Sequence, residues 1–78
     1  MTRDKWSTMF AARIRSRLDY MRMTNSEFCK KMDIDYKKYN RWISGEQIPK
    51  ATEIVNIAKV LNCSVSWLID YNDRITKD

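Results

Sequence analysis

The chain is 78 residues long, with fifteen Lys+Arg against ten Asp+Glu, a net charge of +5 and no histidine. That length holds one domain with a small core and excludes a deep cleft framed by two lobes. A single Gly and a single Pro exclude collagen-like sequence and argue against a turn-rich all-β domain, and no apolar run is long enough to span a membrane.

Five helices are predicted, all within one domain over 1–78 whose core covers about 7–71. Ser7 or Thr8 is placed to cap the first, which runs to about Met21. Met9, Phe10, Ile14, Leu18 and Met21 form its apolar stripe, and Arg13, Arg15, Arg17 and Arg22 read mostly as exposed, solvated charge. Thr24-Asn25-Ser26-Glu27 is a capping box that opens a second helix, Asn25 to near Met32. Asp33 suits the left-handed turn that must follow. Asp35 caps a third helix, Tyr36 to about Ile43, and Ser44-Gly45 ends it. A fourth runs from Ala51 to Leu61 with Ile54, Val55, Ile57, Ala58 and Leu61 inward, and Asn62 stops it. Ser64 caps a short fifth helix, Val65 to about Ile69 or Asp70, followed by a polar tail. The expected core is Phe10, Ile14, Leu18, Phe28, Ile34, Trp42, Ile54, Ile57, Leu61, Trp67 and Leu68.

Cys29 and Cys63, without any His, cannot supply a Cys₂His₂ or Cys₄ zinc site from one chain. Histidine-based triads are excluded too, so no catalytic residue, metal or cofactor is expected. Met1–Trp6 lacks the apolar segment of a secretory leader, which points to a reducing cytoplasm and no membrane partner. Spacing leaves a Cys29–Cys63 disulfide open, but two small buried apolar residues are the simpler reading.

Charge is uneven. Residues 1–22 hold six basic and two acidic residues, 23–50 six and four, and 51–78 three and four. A positive first fifty residues suits phosphate, in nucleic acid or in lipid headgroups; the alternative is a face kept for solubility.

The second and third helices, joined by a tight turn, form a helix-turn-helix. In that motif the second helix projects side chains into a major groove about 12 Å wide. Phe28, Ile34, Tyr39 and Trp42 are placed to clamp the pair, and Tyr36, Lys37, Asn40 and Arg41 remain for base edges. Arg suits guanine and Asn suits adenine.

Residues from about Ile14 to Tyr71 resemble the Cro/CI-type (lambda-repressor-like, XRE) helix-turn-helix family. The resemblance lies in Arg13-Ile14-Arg15, in Met23 to Cys29, in Ile34 through Arg41-Trp42 to Gly45 and Pro49, and in Ile57-Ala58 through Leu61 and Ser64 to Trp67-Leu68. It implies a compact all-α domain of five helices and a double-stranded DNA operator, bound as a homodimer on a palindrome. No small-molecule ligand is implied. It assigns base contacts to Tyr36, Lys37, Asn40 and Arg41, phosphate contacts to Thr24, Asn25 and Lys38, and a dimer edge to Ile48, Pro49, Val65 and Trp67; Lys50, where the chain departs from the family, adds a cation for a further phosphate contact. Each assignment has a plainer counterpart: an ion pair of Arg41 with Glu46 or Asp35, solvated Lys37 and Lys38, Tyr36 packed on Phe28, and Thr24 serving only as a cap.

Two departures stand out. Lys50 replaces a residue that often caps the fourth helix. Leu18 and Ile43 stand where many relatives have a buried Arg–Glu pair, which implies that the two aliphatic side chains touch. A stand-alone Cro-like phage or prophage repressor is the expected function. The same fold also serves antitoxins, restriction–modification controllers and protein-interaction modules.

Overall fold

A computed structural model describes residues 5–69, and the side chains from residue 7 onward. Most of the expected N-terminal arm and the whole polar tail lie outside the described residues. Five helices follow in order: α1 Lys5–Tyr20, α2 Asn25–Met32, α3 Tyr36–Ser44, α4 Ala51–Val60 and α5 Val65–Ile69. No strand occurs among the described residues.

Helix α1 starts earlier than its capping residues suggest, because packing overrides a local preference. Ser7 is buried inside the helix, in register with Phe10, Ala11, Ile14 and Leu18, at the 3-and-4 spacing of one inward face. It therefore cannot act as a cap. The helix ends at a left-handed Arg22, φ 55°. There Met23 N–H donates to the Leu18 carbonyl at 2.9 Å and Arg22 N–H to the Asp19 carbonyl at 3.1 Å. This is a Schellman ending, usually built on glycine. Asp33 (φ 61°) and Asn62 (φ 54°) end α2 and α4 in the same manner, as their side-chain types foreshadow. The sole glycine, Gly45, closes α3 at φ 85°.

The starts of α2, α3 and α5 follow their local chemistry. Thr24 Oγ1 accepts the Glu27 N–H at 3.0 Å while the Glu27 carboxylate accepts the Thr24 N–H at 2.8 Å. Asp35 accepts the Lys38 N–H at 2.8 Å, and Ser64 Oγ accepts the Trp67 N–H at 3.1 Å. Only half of this arrangement exists at α4. Glu53 accepts the Lys50 N–H at 2.8 Å, but a lysine side chain has no acceptor to return.

α1 packs against α3 and α5, α2 against α3 and α4, and α4 against α5. All five helices supply the core: Phe10, Ile14 and Leu18 of α1, Phe28 and Cys29 of α2, Tyr39 and Trp42 of α3, Ile57 and Ala58 of α4, and Leu68 of α5. Leu61, just past α4, completes it. Ile34, Ile43 and Ile54 flank this cluster half-buried, so Leu18 and Ile43 belong to one apolar assembly. Two expected core residues turn outward. Val55 is 41 % exposed because it sits a third of a turn off the Ile54–Ile57–Ala58–Leu61 stripe, and Trp67 is 39 % exposed on a five-residue helix that buries Leu68 instead. The two thiols are unpaired, Cys29 buried and Cys63 half-buried, and burial raises both pKa values.

Candidate nucleic-acid interface

The α2–turn–α3 unit is fixed from inside by rings. Phe28 meets Tyr39 edge-on with centroids 5.6 Å apart, and Trp42 is buried beside them in the core. Because α3 turns Tyr39 and Trp42 inward, its opposite face is set. Tyr36, Lys37, Asn40 and Ser44 are exposed on it, with Arg41 half-buried on the flank. Tyr36 is 51 % exposed and leans on the Tyr39 ring (5.8 Å), not on Phe28. Arg41 makes no ion pair with Glu46 or Asp35 among the described residues. Its carbonyl instead accepts from Gln47 N–H (3.1 Å) and Ser44 Oγ (3.3 Å), which anchors the loop after α3. The four residues expected to meet base edges therefore lie together on or beside one helix face.

The residues expected to meet phosphate divide. Asn25 is exposed at the start of α2, and its Oδ1 accepts the Tyr39 hydroxyl at 2.8 Å. That bond orients the amide and leaves its NH₂ to donate outward. Burial pushes the Tyr39 phenol up to about 12, so the hydroxyl keeps its proton. Lys50 is exposed before α4. Thr24 spends its only hydroxyl proton on Glu27 Oε1 (3.3 Å), so its side chain caps and has no donor left for a phosphate. Lys38 Nζ lies 2.6 Å from Glu53 Oε2 and 5.9 Å from the Trp42 ring centroid, tying α3 to α4. The Lys38 hydrogen bond and the Lys50 N–H hold the Glu53 carboxyl below its ordinary value, and the Thr24 N–H does the same for Glu27.

The expected dimer edge is also divided. Ile48 is 53 % exposed, and Trp67 is exposed with Arg13 over its ring (5.0 Å). Pro49 is buried, and Val65 of α5 packs half-buried on the chain's own core.

The α1 arginines are not uniformly solvated. Arg17 donates to the Leu61 carbonyl (3.1 Å) and the Asn62 carbonyl (3.2 Å), closing the end of α4, and Arg13 donates to the Trp67 carbonyl of α5. Arg15 and Arg22 instead line an open cleft of about 690 Å³ between the end of α1 and the start of α2. A clue stood in the sequence: Arg22 occupies the helix stop where a glycine is usual.

Helices α2 and α3, their inward aromatic clamp and the outward polar face of α3 define a helix-turn-helix DNA-binding domain of the kind found in transcription regulators. A family model described as helix-turn-helix matches residues 14–68, and the chain belongs to this XRE-type family. Its fold is similar to the solution structure of the SOS-response transcriptional repressor LexA from Eubacterium rectale. The TM-score is 0.80 at 24% identity, covering 100% of this chain and 82% of that one. None of the curated proteins matches the chain. No helix among the described residues is long and apolar enough to cross a membrane.

Proposed function

We propose that this chain is a sequence-specific double-stranded DNA-binding regulator, a Cro-like phage or prophage repressor that binds a palindromic operator as a homodimer. The observation that carries this reading is the outward side of α3. Tyr36, Lys37, Asn40 and Arg41 stand there together while the aromatic side is locked into the core. Such a helix enters the major groove, where Arg41 pairs with guanine and Asn40 with adenine, and Tyr36 and Lys37 contact the groove wall. Asn25 and Lys50 hold the flanking phosphates. Ile48 and Trp67 are the apolar residues left for a second copy. Pro49 and Val65 support that edge from within.

The test is in-vitro selection from random duplex DNA at near-physiological salt. The expected product is an inverted repeat with half-sites about one helical turn, roughly 34 Å, apart. Absence of enrichment at every salt concentration where the protein is folded would overturn the reading and favour a protein partner on this fold.

A further inference from the structure

We propose that the cleft between the end of α1 and the start of α2 grips the DNA backbone, with Arg15 and Arg22 each neutralising one phosphate. This rests on the DNA-binding reading and extends the contact surface beyond the helix pair.

Three features carry it. First, the charged residues lining the cleft are Arg15 and Arg22 against Asp19, and neither arginine forms an ion pair among the described residues. Arg13 and Arg17, on the same helix, are spent on carbonyls of α4 and α5, so the open pair is not simply how arginines on α1 behave. Second, Asn25 lines the same cleft, and its amide is oriented by Tyr39 so that the N–H groups remain for an outside acceptor. The cleft is thus continuous with the proposed groove-facing surface. Third, Arg22 holds the left-handed conformation at φ 55°, and it is exposed. A non-glycine residue there costs on the order of 1 kcal/mol. The two comparable stops use Asp33 and Asn62, the residue types that tolerate this conformation best. No ion pair of its guanidinium among the described residues accounts for an arginine at this stop. A phosphodiester accounts for it, since a guanidinium makes charge-assisted, frequently bidentate bonds to phosphate oxygens.

The conformation supplies a clean test. Arg22→Gly removes the cation while relieving the backbone, so folding should be as stable as in the parent or more so. Duplex binding by fluorescence anisotropy is then measured from 50 to 200 mM salt for the parent, R22G, R15Q, R41A and the control K59Q, which removes an exposed cation of α4. R22G and R15Q should each flatten the log–log salt slope by about 0.9, the value for one phosphate contact. The affinity gap to the parent should therefore shrink roughly threefold across that range. K59Q should keep the parent slope. Parent-like slopes in R22G and R15Q, with R41A still weakened, would overturn the cleft and leave the DNA reading intact. An equal loss in K59Q would also overturn the cleft, reducing the effect to net charge. A parent protein with no salt-dependent duplex binding would overturn both.

Discussion

Helix α1 has two sides that use the same residue type for opposite purposes. On one, Arg13 and Arg17 lie a helical turn apart and bind carbonyls of residues 67, 61 and 62. On the other, Arg15 is left at an open cleft, together with Arg22 in the turn just past the helix. The first pair holds the molecule together; the second is available to whatever approaches it. Net charge cannot separate the two, because all four arginines count equally in it. For the three on the helix, angular position and what α4 and α5 present to that angle decide the outcome.

The largest expected effect probes the apolar seam between α1 and α3. Ile43→Glu should destabilise by about 3–5 kcal/mol, since it places an unpaired carboxylate beside the core. The double variant L18R/I43E should recover part of that loss. Urea denaturation of the four-member cycle measures it, and additive single effects would show that Leu18 and Ile43 do not touch. On the inward arginine side, R17A should lower stability by about 1–2 kcal/mol, reflecting two charge-assisted bonds that are partly solvated. Its salt slope for DNA should stay at the parent value; a flattened slope would erase the division between the two sides of α1. On the recognition face, R41A should relax preference at one base position and weaken operator binding by about 1–3 kcal/mol. Repeating the selection with R41A reads this directly, and an unchanged sequence preference would remove Arg41 from the base-reading set.

The smallest effect is in pH. Glu27 and Glu53 are held below the ordinary value of 4.5, chiefly by the Thr24 N–H and the Lys38 ammonium respectively. A carboxylate whose folded pKa is depressed adds stability above its unfolded pKa and loses it as pH falls through the folded one. Melting temperature should therefore decline below about pH 4.5, and E27Q/E53Q should flatten that decline. Glutamine at 27 still completes the capping box, so the neutral-pH melting temperature tests the cap apart from the charge.

Features decided within four residues were legible in the sequence. The Thr24–Glu27 box, the Asp33 and Asn62 stops, the Asp35 and Ser64 caps and the Gly45 ending all stand as their chemistry implies. So did the helix pair and the outward face of α3, because Tyr39 and Trp42 leave only one way to turn that helix. What escaped was set by partners far along the chain. The Tyr39–Asn25 bond spans 14 residues and the Arg17–Leu61 bond 44, and neither leaves a local pattern. Lys38 resembles its neighbour Lys37 until α4 brings Glu53 to it. Ser7 looked like a cap because serine favours caps, but its register with Phe10 and Ile14 puts it in the core. The burial of Pro49, which the resemblance placed at the dimer edge beside Ile48, likewise left no local pattern.

The long reach of α1 also bears on how the protein is made. Its apolar stripe is covered by α3 and α5, and its arginines close on Leu61, Asn62 and Trp67. During synthesis about fifty residues must be added after α1 before those partners exist, some 3–10 s at 5–20 residues per second. Phe10, Ile14 and Leu18 stay uncovered for that interval. Helices α2 and α3 are made midway, before α5 exists to close on α1 and α4. A chain released before residue 60 would therefore carry α1 with its apolar stripe open to chaperones and its arginines without the carbonyls that they close on.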